Sequence, residues 1–278
     1  MQWWCVAQTA PWSWAWQAYP GVWLFMATLI TLVVAVRRHF AVVDAERRGS
    51  AIAGAAGILA LWVSLDWPVG VLGSGYLASI HMVQFLLICM VASPLLLLAL
   101  PSGFYTDLER RLGAVLERVT HPLVTMGQFA ALVAFTHWPP VVDGLMVTQW
   151  GNFLLDTLWL ATGILFWWPV AAAAPRRAWF GYPAKIGYLI IASIVNTGVF
   201  AYLVFSGLPL YAIFELAPPI PALPTRTDQR LAGLMMKTGG ALVLWTWISV
   251  LFFLWYAEET RDEETPGLRA PPISSEVV

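Results

Sequence analysis

The sequence has few charged residues for its length. Asp, Glu, Lys and Arg make up 11% of the 278 residues, whereas a soluble domain usually carries about a quarter. The hydrophobic share is 59% and the mean hydropathy is +0.71. Such a chain cannot cover its surface with charge, so most of that surface does not face water. The sequence therefore predicts an integral membrane protein.

Other features are also missing, and each absence excludes a class of protein. The formal net charge is −1, so the overall balance does not indicate a nucleic-acid partner. The two cysteines, Cys5 and Cys89, are far apart in the sequence, which excludes a disulfide framework and a zinc site of closely spaced thiolates. Neither a nucleotide-binding loop nor a nucleophile–base pair is evident. We therefore predict a protein that is not an enzyme and has no small-molecule substrate.

The first twenty residues contain no Lys or Arg, so they lack the basic region that begins a secretory signal peptide. We expect the first apolar stretch to be retained as a membrane anchor. Tryptophan is frequent here, and its amphipathic ring suits the boundary between membrane and water. We expect five tryptophans to lie at that boundary: Trp3, Trp4, Trp12, Trp14 and Trp16.

Seven apolar stretches approach the length of about 20 residues that a transmembrane helix needs. The predicted fold is all-α, a polytopic bundle of about seven transmembrane helices. Residues 1–257 form a single domain in this prediction, and residues 258–278 form a disordered cytoplasmic tail. The predicted spans are Tyr19–Val36, Ala51–Trp67, Tyr76–Leu98, Leu123–Trp138, Trp150–Val170, Tyr182–Phe205 and Leu231–Ala257.

The basic residues fall in alternate loops. Cytoplasmic loops of membrane proteins carry an excess of Lys and Arg, and twelve of the fifteen basic residues lie after the first, third, fifth and seventh predicted spans. We therefore expect the N-terminus outside, the C-terminus in the cytoplasm, and a multi-pass protein of a bacterial inner membrane. The twelve are Arg37, Arg38, Arg47, Arg48, Arg110, Arg111, Arg118, Arg176, Arg177, Lys185, Arg261 and Arg269.

Hydrophilic side chains recur at one depth in several spans. Each ionisable group within a span costs about 2.5–3.5 kcal/mol on insertion scales. At a rise of 1.5 Å per residue, His81, Asp156 and Lys237 lie about 8–12 Å below the outer boundary. We interpret them as parts of one site near the outer ends of the helices. Its histidines are His81 and His137, and its polar members are Gln84, Asn152, Asp156, Asp228, Gln229 and Lys237.

Simpler roles remain open for several of these residues. Asn152 can cap the first turn of its helix, and His137 can be a hydrogen-bonded packing residue. A buried ion pair between Asp156 and Lys237 would account for both charges without any ligand. The two histidines also suit the axial positions of a haem in an electron carrier.

Four stretches together resemble a known family, the CtaG-type cytochrome c oxidase assembly factors. These multi-span membrane proteins are associated with the assembly of haem–copper oxidases. The resemblance implies that the chain assists this assembly, by copper delivery on the periplasmic side, with membrane lipids and oxidase subunits as its partners. The stretches are SIHMVQFLLICMVASPLLLLALP (Ser79–Pro101), THWPPVVDGL (Thr136–Leu145), LWLATGILFWWPV (Leu158–Val170) and DQRLAGLMMKTGG (Asp228–Gly240).

The resemblance also implies a copper site. Copper prefers imidazole, thiolate and thioether donors, and the implied ligands are His81, Met82, His137 and Met236. The chain departs from the family pattern at three places. Phe85 replaces a second histidine, Asn152 and Asp156 replace paired histidines, and Lys237 replaces an apolar or aromatic residue. A second function therefore stays open, a permanent accessory subunit of an oxidase with a degenerate metal site, in which a bridge between Lys237 and Asp156 has replaced the cation.

Overall fold

The computed structural model describes residues 2–40, 44–195, 197–220 and 223–264, and no residue in these ranges lies in a β-strand. Within the same ranges the chain forms thirteen α-helices, with a π-helical segment at Leu86–Ala92 and a 3-10 turn at Pro175–Arg177. The helices are α1 (Pro20–His39), α2 (Asp44–Leu65), α3 (Val69–Gly75), α4 (Ala78–Phe85), α5 (Ser93–Ala99), α6 (Ser102–Val119), α7 (Pro122–Thr136), α8 (Pro139–Leu145), α9 (Gln149–Ala171), α10 (Tyr182–Val195), α11 (Thr197–Phe205), α12 (Ala212–Glu215) and α13 (Thr225–Glu264).

Six helical stretches of the described chain are long and apolar enough to cross a membrane. They contain α1, most of α2, the continuous run Ala78–Ala99, α9, the run Tyr182–Phe205 and most of α13. A seventh span arises if α6 and α7, which meet at a bend of 61°, are counted as one. The prediction of an all-α bundle of about seven transmembrane helices is confirmed.

The predicted fourth span, Leu123–Trp138, corresponds to α7. This helix has 15 residues, which falls short of the length that crosses a hydrocarbon core. It ends at Thr136 because the next helix starts with a proline pair after Trp138, and proline cannot continue a helix from its interior. The last span is instead longer than predicted. α13 has 40 residues and runs to Glu264, so it extends past the predicted domain boundary, and residues 265–278 lie outside the described chain.

A π-helical segment widens the third span where α9 packs against it. Leu86–Ala92 adopts this geometry, which is rare and usually occurs as a single turn inside an α-helix. Its backbone meets α9 closely, because Trp167 Nε1 donates to Cys89 O at 3.0 Å and Cys89 Sγ donates to Trp159 O at 2.9 Å. Gly163 makes this approach possible, since a Cβ there would lie 2.3 Å from Ser93 Oγ.

The segment before α1 folds back onto the bundle. The side-chain oxygen Oε1 of Gln149 accepts hydrogen bonds from the backbone N–H groups of Trp3 and Trp4 at 2.6 and 3.2 Å. Trp4 is 1% exposed, whereas Trp14 and Trp16 are 71% and 62% exposed. The prediction that Trp4 lies at the membrane boundary is wrong, because its ring fills the bundle interior.

Candidate functional site

His81 and His137 line one small cavity at the end of the bundle where α4 begins and α7 ends. His81 lies in the first turns of α4, and His137 follows the last residue of α7. Both side chains are buried. The cavity has a volume of about 10 Å³, close to the minimum that accommodates one water molecule. Met82, Tyr211 and Phe214 also line it.

Each histidine presents a buried ring nitrogen without a hydrogen-bond partner. These atoms are His81 Nδ1 and His137 Nε2. The other nitrogen of His137, Nδ1, lies 2.8 Å from the carbonyl oxygen of Val133. A carbonyl only accepts, so Nδ1 carries the proton in this contact and Nε2 of the neutral ring keeps its lone pair. The Nε2 atom of His137 can therefore bind a metal ion or accept a hydrogen bond.

Aromatic rings hold the two imidazoles in place. The ring centroid of His81 lies 4.8 Å from that of Trp159 and 5.8 Å from that of Phe214. Phe85 contacts His137 edge-on at a centroid distance of 5.5 Å. Phe85 stands where the family resemblance implies a second histidine, so in this chain that position packs against a ligand candidate.

Tyr211 closes the cavity from the connection between α11 and α12. Its hydroxyl donates to the backbone oxygen of His137 at 2.8 Å. Burial raises the pKa of the Tyr211 phenol, so the hydroxyl keeps its proton and remains a donor. The bond fixes the backbone at the point where α7 ends and His137 turns inward.

Asp156 lies in the same region but is held by other groups. Its carboxylate accepts from Trp4 Nε1 at 2.8 Å and from Gln84 Nε2 at 3.3 Å. Gln84 is one turn beyond His81 on the same helix face, and its oxygen Oε1 is buried without a partner. Trp4, Gln84 and Asp156 thus form a polar network beside the histidine cavity, and it joins the N-terminal segment to α4 and α9.

The hypothesis of an ion pair between Asp156 and Lys237 is wrong. Lys237 Nζ donates to Ser193 O at 2.9 Å and to Thr197 Oγ1 at 2.8 Å. It faces α10 and α11, whereas Asp156 faces α4 and the N-terminal segment. The two residues have no hydrogen-bond partner in common, so Lys237 does not belong to the Asp156 network.

Three further polar residues of the predicted site serve as structural hydrogen-bond partners. Asp228 accepts from the backbone N–H groups of Ala78 and Ser79 at 2.6 and 3.1 Å, at the start of α4. Gln229 Oε1 accepts from Leu210 N at 2.6 Å. Asn152 Nδ2 donates to Met146 O at 2.9 Å. These contacts close loops and helix ends. The prediction that Asn152 caps its helix is wrong, because Thr148 is the N-cap of α9 and its side chain accepts from Gly151 N at 3.0 Å.

The implied copper ligands are brought together in part. His81, Met82 and His137 share one cavity, whereas Met236 lines a neighbouring cavity together with Lys237. Within the described residues, no group of three or more His, Cys, Asp or Glu side chains is placed to hold a metal ion. Two imidazole nitrogens and one thioether are a donor set that suits a soft ion such as Cu(I). A porphyrin does not fit between the histidines, because the cavity has room for about one water molecule.

The sequence did not reveal two members of the site, Trp4 and Tyr211. Trp4 belongs to a segment whose tryptophans indicated only a membrane boundary, and Tyr211 lies in a connection between spans. A buried tyrosine hydroxyl usually finds a hydrogen-bond partner, but the sequence does not show that Tyr211 is buried. For Trp4 the partner is 152 residues away, and the sequence pattern gives no indication of that contact.

Comparisons with known proteins place this chain in a family. The family model described as cytochrome c oxidase caa3 assembly factor matches residues 29–258. Two mycobacterial proteins described as uncharacterized, one from Mycobacterium bovis and one from Mycobacterium tuberculosis, are each 27% identical to this chain over 241 residues. The match covers 73% of this chain and 34% of each relative, so the chain spans about a third of their length. No solved structure matches it.

Proposed function

The chain belongs to the family of caa3 cytochrome c oxidase assembly factors, and on this premise we propose that it assists oxidase assembly by handling a copper ion at the periplasmic face of a bacterial inner membrane. The ion is cargo in this proposal and is passed on to the oxidase. The chain itself performs no catalytic step.

The observation that carries the proposal is that two histidines, each with an unpartnered ring nitrogen, line one buried cavity. A buried polar atom without a partner costs about 1–3 kcal/mol, and His81 Nδ1 and His137 Nε2 are two such atoms. A bound ion would satisfy both. Met82 adds a thioether on the cavity wall, and soft sulfur donors favour Cu(I) over harder divalent ions.

The distribution of basic residues supports the periplasmic assignment. The histidine cavity lies at the ends of the helices that are remote from the Arg-rich loops, and Lys and Arg accumulate on the cytoplasmic side of membrane proteins. Arg110, Arg111 and Arg118, for instance, lie on α6, beyond the other end of the run Ala78–Ala99. Copper would enter the oxidase from the side on which the cavity lies.

One observation favours a second function, the permanent accessory subunit. Asp156 stands at a position where the family resemblance implies a ligand, yet it is bonded to Trp4 and Gln84. Phe85 is similarly committed to packing against His137. A chain that has lost donors in this way can still bind an oxidase through its lipid-facing surfaces. Mild solubilisation of the oxidase separates the two functions, since a permanent subunit co-purifies in stoichiometric amount and an assembly factor does not.

A competition assay with a Cu(I) chelator tests copper handling on the purified full chain. We expect the His81→Phe and His137→Phe variants each to weaken Cu(I) binding by at least about tenfold, the equivalent of 1.4 kcal/mol. His121→Gln is the matched control, because His121 lies at the start of α7, at the far end of that helix. Equal affinity of the wild type and both cavity variants would contradict the proposal.

A further inference from the structure

The side chain of Lys237 is half-buried, and the hydrogen-bond partners of its ammonium group are neutral. Its Nζ donates to Ser193 O and to Thr197 Oγ1, and an ammonium group carries three N–H donors. One donor remains for a further acceptor. Within the described chain no Asp or Glu forms an ion pair with Lys237, so its charge is not neutralised there by a carboxylate.

The register between α13 and α11 places this ammonium at the start of α11, in the interior of the candidate span Tyr182–Phe205. Gln229 Nε2 donates to Leu203 O near the end of α11, and a little over two turns further along α13 Lys237 reaches Thr197, the first residue of α11. α11 has nine residues, a length of about 13 Å. Half of a hydrocarbon core is about 15 Å. The side chain therefore does not extend toward the nearer interface, as lysines in spans commonly do.

An apolar cavity opens beside Lys237. Its volume is about 40 Å³, and phenylalanines from four different parts of the bundle line it. Leu86, Gly240 and Lys237 on its wall are half-buried, so the cavity reaches the surface of the bundle within the membrane-spanning region. The four aromatic residues are Phe85, Phe129, Phe166 and Phe200.

We propose that Lys237 and this cavity bind the carboxylate head of a single-chain lipid, whose acyl chain lies against the bundle surface. A cation in a medium of low dielectric constant is stabilised strongly by an anion in direct contact. A free anion does not cross the hydrocarbon core, and a metal cation would be repelled by the ammonium. A fatty acid meets both requirements. Its apolar chain lets it reach the site through the hydrocarbon core, and its carboxylate is negatively charged.

The cavity volume is consistent with this occupant. A space of about 40 Å³ accommodates a carboxylate group and the first part of a chain, whereas a whole lipid needs far more. The apolar walls match the methylene groups next to the head, and the opening at the bundle surface lets the rest of the chain remain in the bilayer.

This inference is independent of copper handling. The histidine cavity is lined by Met82, Tyr211 and Phe214, and none of these lines the cavity beside Lys237. The two cavities share no lining residue, so variants of Lys237 and Ala241 leave the lining of the histidine cavity unchanged.

Photolabelling of the full chain in lipid nanodiscs tests the proposal. The probe is a fatty acid with a diazirine in its acyl chain, and the competitors are oleate, methyl oleate and decylubiquinone. We expect labelling on α10, α11 or α13, and we expect oleate to compete while methyl oleate, which lacks the charge, does not. Competition by methyl oleate equal to that by oleate would overturn the proposal. Competition by decylubiquinone without competition by oleate would overturn it too, because the ligand would then be a neutral carbonyl compound.

Variants connect the labelling to Lys237. We expect Lys237→Met to lower the labelling by at least about tenfold and Lys237→Arg, which keeps the charge, to retain it. Lys185→Met is the matched control, since Lys185 lies near the start of α10 and lines a different cavity. Ala241→Phe fills the cavity while keeping the ammonium, so we expect it to abolish labelling even if Lys237→Met fails to fold. Undiminished labelling in both Lys237→Met and Ala241→Phe would contradict the proposal.

Discussion

Asp228 on α13 caps the first turn of α4, because its carboxylate accepts a hydrogen bond from the backbone N–H of Ala78 at an N–O distance of 2.6 Å. The same carboxylate accepts from Ser79 N at 3.1 Å. Leu77, the residue before the helix, supplies no side-chain cap of its own. A helix that carries His81 in its first turns is thus positioned by a residue from the last span. The negative carboxylate also complements the positive end of the α4 dipole.

Replacing Asp228 should therefore loosen the histidine cavity as well as the fold. In Asp228→Ala the two buried N–H groups lose their acceptor, and each unsatisfied group costs about 1–3 kcal/mol. We expect a lower free energy of unfolding, measured by thermal unfolding in detergent, together with weaker Cu(I) binding. Asp107→Ala is the control, because Asp107 lies on α6 and pairs with the exposed Arg110 and Arg111. Equal stability of the two variants would contradict the capping role.

Gly163 is expected to tolerate no larger residue. A Cβ at this position would lie 2.3 Å from Ser93 Oγ and 2.8 Å from Cys89 O. Gly163→Ala should destabilise the protein by about 1–3 kcal/mol, the usual effect of overpacking a well-packed interior. The control is Gly187→Ala on α10, where nothing lies within 4 Å of the added carbon. Thermal unfolding of both variants measures the difference, and a stable Gly163→Ala protein would show that the π-helical segment does not approach α9 as closely as described.

Trp4 should be as important to stability as a core residue, although it lies in the segment before the first span. In Trp4→Phe the ring is largely kept but Asp156 loses its hydrogen bond at 2.8 Å. We expect a loss of about 1–3 kcal/mol in unfolding free energy, because a buried carboxylate oxygen is left without a donor. Trp14→Phe is the matched control, since Trp14 is exposed. A double-mutant cycle with Asp156→Asn measures the coupling directly, and a coupling of zero would contradict the network.

Hydropathy was sufficient to predict most of the helical spans, because a membrane helix needs a long apolar run and the sequence contains such runs. It was not sufficient for the predicted fourth span, where α7 has only 15 residues. The depth predicted from the sequence also grouped His81 with His137 correctly, since both line one cavity. The same criterion failed for Lys237 and Asp156, which have similar predicted depths but contact different neighbours. In a soluble protein, the polar face of a helix shows which way the helix is turned about its axis. A transmembrane helix is apolar on both its lipid side and its protein side, so the sequence does not show which way each side chain faces.

The fold-back of Trp4 onto Asp156 was also beyond prediction. Trp3 and Trp4 look the same as Trp14 and Trp16 in the sequence, and only tertiary packing against Gln149 and Phe153 distinguishes them. The membrane-boundary property of tryptophan is real, but a buried acceptor satisfies an indole N–H equally well.

X-ray absorption spectroscopy of the Cu(I)-loaded full chain tests the central claim most directly, that His81 and His137 hold a copper ion between them. We expect imidazole nitrogens and a thioether sulfur in the first coordination sphere. The imidazole contribution should be lost in the His81→Phe, His137→Phe double variant and be unchanged in His121→Gln. A copper spectrum that is the same in the wild type and in the double variant would place the ion elsewhere and would contradict the account.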